Sequence, residues 1–399
     1  MKSILSECKK LETKLIEMRR ELHKIPEIGG QLPKTRRFVC ERLQELGIPY
    51  RLNEGDDGVV AEICGAKKGK TIAFRADMDA LHANEENAAE YRSQHAGKMH
   101  GCGHDAHTAV LLSAAEILSG RKDRLAGRVR FLFQTGEETG TGAKQMIAEG
   151  ALEGVDAIFA LHVGALAGRD LPAGTLTVLP NAVSAGKDKF TITVHGKSTH
   201  SAFPALGIDP IRVAARIVVA CEERMKKENA NGTAVLSFGS VAAGEDHNTI
   251  PASALLKGSI RCQDEKHRSF LGKSLQEISE EIARSYGATC TVNLVKGSST
   301  VVNDEGLALL AAGAIEAALG KEGLQTQTQS ALMGSDDFAN YLKKVKGVYF
   351  FLHTNNPEKG IMAFNHNAKF DIDEETLYRG VAATVAIAEK YLGGKENEE

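Results

Sequence analysis

Five side chains able to bind a metal, His100, Cys102, His104, Asp105 and His107, fall within the eight residues that follow Met99. A lone histidine is ordinarily a satisfied structural residue. A cluster differs, because several desolvated polar side chains are costly unless one thing satisfies them together. Imidazole and thiolate suit zinc and related transition metals. Glycines at 101 and 103 permit sharp turns that let Cys102 and His104 point one way. For Asp105, a helix N-cap is the competing role.

Three further polar motifs sit at the ends of apolar runs. They are Arg75-Ala-Asp-Met-Asp79 after Thr71–Phe74, Phe133-Gln-Thr-Gly-Glu-Glu138, and Leu161-His162-Val163. An α/β sheet places its ligand crevice at the carboxyl ends of its strands, so the four motifs, the His100–His107 cluster included, are expected at four strand ends that converge on one rim. Two metals about 3.5–4 Å apart can polarise a carbonyl and acidify a shared water. Such chemistry also needs a base that is not a ligand. The adjacent pair Glu137 and Glu138 can divide those roles.

The elements that must position these groups alternate. Helical spacing covers residues 11–24, 33–47, 106–118 and 143–149, the last stopped by Gly150. Strands are expected over 71–76, 129–133 and 157–161, in a mixed sheet with helices on both faces. From Lys187 the order becomes strand 190–194, helix from Asp209-Pro210, strands 234–238 and 254–261, helix 265–286 and strand 289–295. That is βαββαβ, the ferredoxin-like unit. The expected organisation is a catalytic domain over 1–185 and 298–399, interrupted by an inserted domain over 186–297. Helices over 305–319 and 374–392 and a buried strand over 348–352 follow. The charged end, 395–399, reads as frayed.

Composition excludes several classes. At 399 residues the prior is two to three domains. A 42% apolar, 25% charged chain is an ordinary globular one. A net charge of −3 gives no reason to expect nucleic acid or an anionic membrane. No apolar run approaches the roughly 18 residues of a membrane helix. The start has no apolar signal core. Seven scattered cysteines without a C-x-x-C argue against a disulfide framework and for a cytoplasmic location. Six of them are expected in or near cores. Gly140-Thr-Gly142 lacks the third glycine of a dinucleotide loop and follows two acids.

Taken together, the motifs resemble the M20 family of metallo-amidohydrolases, nearest the branch that acts on N-acyl-amino acids, such as hippurate and auxin-conjugate hydrolases. The matching pieces are Arg75–Leu81, His100–His107, Gly136-Glu-Glu138, Leu161-His-Val163, Gly334-Ser-Asp-Asp-Phe338 and Phe364-Asn-His366. The resemblance implies a zinc-exopeptidase-like α/β domain with the insert as lid and dimerisation domain. It implies Cys102, His104, Glu138, His162 and His366 as ligands of two divalent metal ions, zinc or manganese first, cobalt or nickel next. It places Glu137 as general base and Asp79 where family members orient a ligand. The histidine usual two residues before that aspartate is Asp77 here. In the insert it implies His200 as an oxyanion donor and Asn248 and Arg261 as substrate-binding residues, with turn and surface roles as the plain alternatives. His82-Ala-Asn-Glu85 departs from the proline and acidic stretch usual in the branch.

The expected function is hydrolysis of the amide of N-acyl-L-amino acids by a metal-activated water, with Glu137 as the base. A carboxypeptidase or dipeptidase using the same centre is the near alternative. A non-catalytic metal- or ligand-binding protein is the remote one. The expected partners are a small-molecule substrate and a second copy of the chain, in a homodimer built through the insert.

Overall fold

The computed structural model describes residues 2–168, 170–229, 232–327 and 332–393. The tail read as frayed lies outside them. The chain falls into two compact units. One ends its first stretch at Val183, resumes at Val302 and resumes again at Asp336. The other runs Ser184–Val301 and takes in 332–335.

The first unit opens with α1 (Lys2–Lys10), α2 (Glu12–His23) and α3 (Pro33–Glu45). Strands β1 (Tyr50–Leu52), β2 (Val59–Cys64) and β3 (Lys67–Asp77) follow. Then come α4 (His104–Ser119), β4 (Ala126–Gln134), α5 (Gly142–Ala148), β5 (Ala157–Gly164) and β6 (Leu176–Thr177). The second unit holds β7 (Gly186–His195), α6 (Pro210–Glu228), β8 (Ala234–Ala243), β9 (Ser253–Cys262), α7 (Glu265–Ser285) and β10 (Thr289–Lys296). The chain returns through α8 (Glu305–Leu319), β11 (Leu324–Gln325), β12 (Gly347–His353) and α9 (Leu377–Leu392).

Among the described residues the first unit's sheet has eight strands in the order β1-β2-β4-β3-β5-β12-β6-β11. Its centre, β4-β3-β5-β12, is parallel, and β2 and β6 flank it antiparallel. Strand β5 is buried at all eight positions, which is why it reads as an unbroken apolar run. Helix α4 is buried nearly all round and carries apolar side chains on every face, the mark of a core helix. With α9 it packs Val110, Val381 and Ile387 into the core that holds Phe131, Phe159 and Phe350.

The second unit's sheet is antiparallel, in the order β8-β9-β7-β10. That order and the βαββαβ succession make it the expected ferredoxin-like unit. Helix α6 begins as its sequence dictates. The Asp209 side chain accepts from the Ile211 amide at 2.9 Å, and Pro210 fills the first turn. Phe190, Ile192, Val213, Ile217, Leu256 and Leu271 form a separate core.

Some expectations fail. Helix α1 and strands β1 and β2 were not foreseen. Asp105 is not a cap, because α4 starts from Gly103 and the Asp105 carboxylate pairs elsewhere. Only Gly103 of the two glycines has a left-handed backbone, φ +87°. Cys64 ends an outer strand and is exposed, against the expectation of six sheltered cysteines. All seven thiols are free.

Candidate metal centre

Because β3, β4, β5 and β12 run parallel, their carboxyl ends share one edge. Asp77 ends β3, with Asp79 two residues on. Glu137 and Glu138 follow β4, and His162 lies near the end of β5. The His100–His107 cluster is not at a strand end. A long connection from β3 delivers it as the start of α4, where Gly103 makes the turn.

Two donor groups form around Cys102. One is Cys102, His104 and His162; the other is Cys102, Glu138 and His366; within each, the candidate atoms lie within 4.8 Å of one another. The backbone sets the tautomers. His104 Nδ1 donates to the Asp79 carbonyl at 2.8 Å, and His162 Nδ1 donates to the Val163 carbonyl at 2.8 Å. Each imidazole therefore turns its Nε2 inward, the usual preparation of a metal-binding histidine. The His162 Nε2 is 3.5 Å from Cys102 Sγ. His104 Nε2 is buried without a hydrogen-bond partner. His366 Nε2 lies 3.2 Å from Glu138 Oε1.

Electrostatics point the same way. Burial, then Glu138, pushes the Cys102 thiol well up. Burial opposes charge on His104, yet Asp77 and Cys102 hold it well above the usual imidazole range. Burial pushes His162 well down. Burial opposes ionisation of Glu138, but the hydrogen bond to His366 and the charge on His104 hold it low. A buried thiol, two inward-facing imidazole Nε2 atoms and a buried carboxylate oxygen, with Asp77 close to His104, fit a site for cations.

Two of the cluster's other candidates are occupied. His107 Nδ1 donates to Asp77 at 2.5 Å, and its Nε2 accepts the Val163 amide at 2.9 Å. Asp105 binds buried Arg19 at 2.8 Å and His23 at 2.6 Å. His100 is 1% exposed, neither ring nitrogen has a hydrogen-bond partner, and burial holds it neutral, down to about 3.

Asp79 works on the backbone. Its Oδ1 accepts the Glu137 amide at 3.0 Å and its Oδ2 accepts the Glu138 amide at 3.1 Å. With its carbonyl on His104, it clamps the glutamate turn to a histidine. That is a positioning place.

Glu137 belongs to two further groups, one with His104 and Glu138 and one with Asp336 and Asp337, and the Asp337 amide donates to Glu137 Oε1 at 3.3 Å. Burial, then Asp336, Asp337 and Glu138, pushes the Glu137 carboxyl well above its usual range. Buried Arg75 spans Asp77 at 2.6 Å and Asp337 at 2.9 Å. The sequence reading assigned no role to Asp336 or Asp337. The quoted Gly334–Phe338 motif was their only signal.

In the second unit, residues 199–200 pair with 249–250, and the Ser201 amide donates to the Asn248 carbonyl at 2.9 Å, so His200 and Asn248 are neighbours. The Ala202 amide donates to His200 Nδ1 at 3.0 Å, which leaves the neutral ring's proton on the exposed Nε2. Arg261 stands elsewhere. It faces Lys187 across β7 and β9 and donates to the Met333 carbonyl at 2.9 Å.

The family model for peptidase family M20/M25/M40 matches residues 73–390. "Thermostable carboxypeptidase 2" of Saccharolobus solfataricus is 35% identical over 98% of both chains. "N-acetyl-L-cysteine deacetylase" of Bacillus subtilis is 33% identical over 97% of this chain and 90% of its own. The crystal structure of the Bacillus subtilis YXEP protein, a dinuclear metal binding peptidase from the M20 family, superposes with a TM-score of 0.82. It is 33% identical and covers 96% of this chain and 99% of its own. With donor groups of this kind at the sheet edge and a match over most of its length, the chain belongs to peptidase family M20/M25/M40.

Proposed function

We propose that this chain hydrolyses the amide bond of N-acyl-L-amino acids at a centre for two divalent cations. The observation that carries the reading is the pair of donor groups sharing Cys102, with Glu137 beside them and outside both. Cys102, His104 and His162 would hold one ion; Cys102, Glu138 and His366 the other. Zinc suits the thiolate and imidazoles, and manganese, cobalt or nickel are the other candidates. When bound, such ions polarise the scissile carbonyl and lower the pKa of water.

The protein's own groups do the rest. Glu137 takes the proton of the attacking water and delivers it to the leaving nitrogen. Its crowding by Asp336, Asp337 and Glu138 supports proton affinity, and the Asp337 amide fixes its orientation. The Nε2–H of His200 is a ready donor for the developing oxyanion. Arg261, with Lys187 next to it, suits a substrate carboxylate. We further place the enzyme in the cytoplasm, in line with its seven free thiols, as a homodimer joined through the second unit. Nucleic acid and membranes are not expected partners. No helix among the described residues is long and apolar enough to cross a membrane.

The similarity to the Saccharolobus carboxypeptidase favours a second reading, cleavage of peptides at the same centre. A panel of N-acetyl-amino acids, N-benzoyl-amino acids and dipeptides separates the two. It is run on chelator-stripped enzyme with Zn²⁺, Mn²⁺, Co²⁺ or Ni²⁺ added back. N-acyl-amino acids are expected to exceed dipeptides in kcat/KM by about tenfold or more, a transition-state difference of about 1.4 kcal/mol. Preference for the dipeptides selects the second reading. No turnover with any metal overturns both and leaves a binding protein.

A further inference from the structure

His366 is the proposed ligand with the least support from packing. Its side chain is 55% exposed, and its backbone is left-handed, φ +71°, a strained place for a residue with a Cβ. Such a conformation persists only where the surroundings fix it. One fixing contact is the His366 amide, which donates to the Gly101 carbonyl at 2.7 Å.

The other comes from the residue before. Asn365 Nδ2 donates to the Cys102 carbonyl at 3.2 Å and to the Val163 carbonyl at 3.2 Å. Both partners are acceptors only, so the nitrogen must face them and the amide orientation is settled by chemistry. The Asn365 carboxamide thus ties together three segments that carry proposed ligands: Cys102, the strand end next to His162, and His366 itself. Gly164 makes room for it. A Cβ at Gly164 would lie 2.3 Å from Asn365 Oδ1 and 2.9 Å from its Nδ2. The strand β5 therefore ends in a glycine just where the carboxamide lies.

We propose that Asn365 is a positioning residue that sets the His366 side of the centre by cross-linking the three ligand-bearing segments. The inference rests on the two-cation reading above and adds a residue outside both donor groups. Side chains that orient metal ligands are commonly worth about 10–100-fold in affinity.

The test is titration of Zn²⁺ into chelator-stripped, full-length protein by calorimetry, with a competing chelator to reach tight sites. Asn365→Ala, Asn365→Leu and His366→Ala are compared with wild type, each with its near-UV circular dichroism recorded before zinc is added. Wild type is expected to take two ions. His366→Ala is expected to lose one. Both Asn365 variants are expected to keep one tight ion and bind the other about tenfold or more weakly, with an unchanged stripped-state spectrum. Wild-type affinity for both ions in the Asn365 variants, while His366→Ala loses one, overturns the positioning role alone. Loss of the native spectrum in both stripped Asn365 variants also overturns it, in favour of a role in folding. Two tight ions in His366→Ala overturn the ligand reading beneath it.

Discussion

Asp79 carries no proposed metal bond, yet it connects a histidine and two glutamates through hydrogen bonds at 2.8, 3.0 and 3.1 Å. Asp79→Ala removes both carboxylate acceptors from the Glu137-Glu138 turn. Zinc affinity and kcat are expected to fall about 10–100-fold, the usual scale for a group supporting ligands. Zinc titration and steady-state kinetics check this, and wild-type values for both would contradict it. Glu138→Gln should lose one of the two zinc ions at concentrations where the wild type is loaded, seen by elemental analysis after gel filtration. The residues legible in the sequence were those whose chemistry is declared locally. Cys102 and His104 stand among other donors, and Glu137 and Glu138 are adjacent. Asp337 and Asn365 carried no assigned role, because one contributes a backbone amide to the Glu137 carboxylate 200 positions away and the other a carboxamide to the Cys102 carbonyl 263 positions away. No local pattern encodes such a contact. His100, Asp105 and His107 misled for the converse reason. Their type suits a metal, but Arg19, His23, Asp77 and the Val163 amide claim Asp105 and His107, and His100 belongs to neither donor group sharing Cys102.

At the scale of elements, the start of α4 depends on Gly103. Its φ is +87°, and a Cβ there would come within 2.4 Å of the Val163 side chain. Gly103→Ala should cost about 1–3 kcal/mol, the range for a residue held in such a region. Urea unfolding of stripped protein measures it, and an unchanged midpoint would contradict the account. His100, just before that turn, gives a pH signature. It is neutral in the fold, held down to about 3, and about 6.5 when unfolded. Between those values the unfolded chain binds the extra proton. Its contribution to stability is therefore complete above about pH 6.5 and falls as pH drops toward 3, by at most about 1.4 kcal/mol per pH unit. Neither ring nitrogen has a hydrogen-bond partner, so His100→Phe breaks no hydrogen bond. It should flatten the pH dependence of urea unfolding over that window by up to one proton, and an identical slope would contradict this. Helices and strands with clean periodicity were legible to within a few residues, Asp209-Pro210 included. The three-residue β1 and the opening α1 were not, because so short or so polar a segment is fixed by what it packs on.

At the scale of the molecule, the second unit separates its own candidate residues. Arg261 pairs with Lys187 near one end of β7 and β9, while Ser253 pairs with His195 near the other, toward the His200 and Asn248 pairing. Eight residue steps of strand span about 26 Å, which sets Arg261 far from the Ser253–His195 end of the sheet. We propose that His200 serves the centre of a second copy. His200→Ala should lower kcat at unchanged zinc content, and mixing it with Glu137→Gln should restore part of the activity in hybrid dimers. No recovery despite demonstrated subunit exchange would contradict service in trans. The central claim is that two cations and an unligated Glu137 form one hydrolytic site. The measurement that meets it most directly is kcat for Glu137→Gln, on protein shown by elemental analysis to carry two metal ions per chain. Full metal loading is expected, with kcat lowered about 10²–10⁴-fold, the scale of general acid–base catalysis. Near-wild-type turnover at full loading, or loss of metal in this variant, would contradict it.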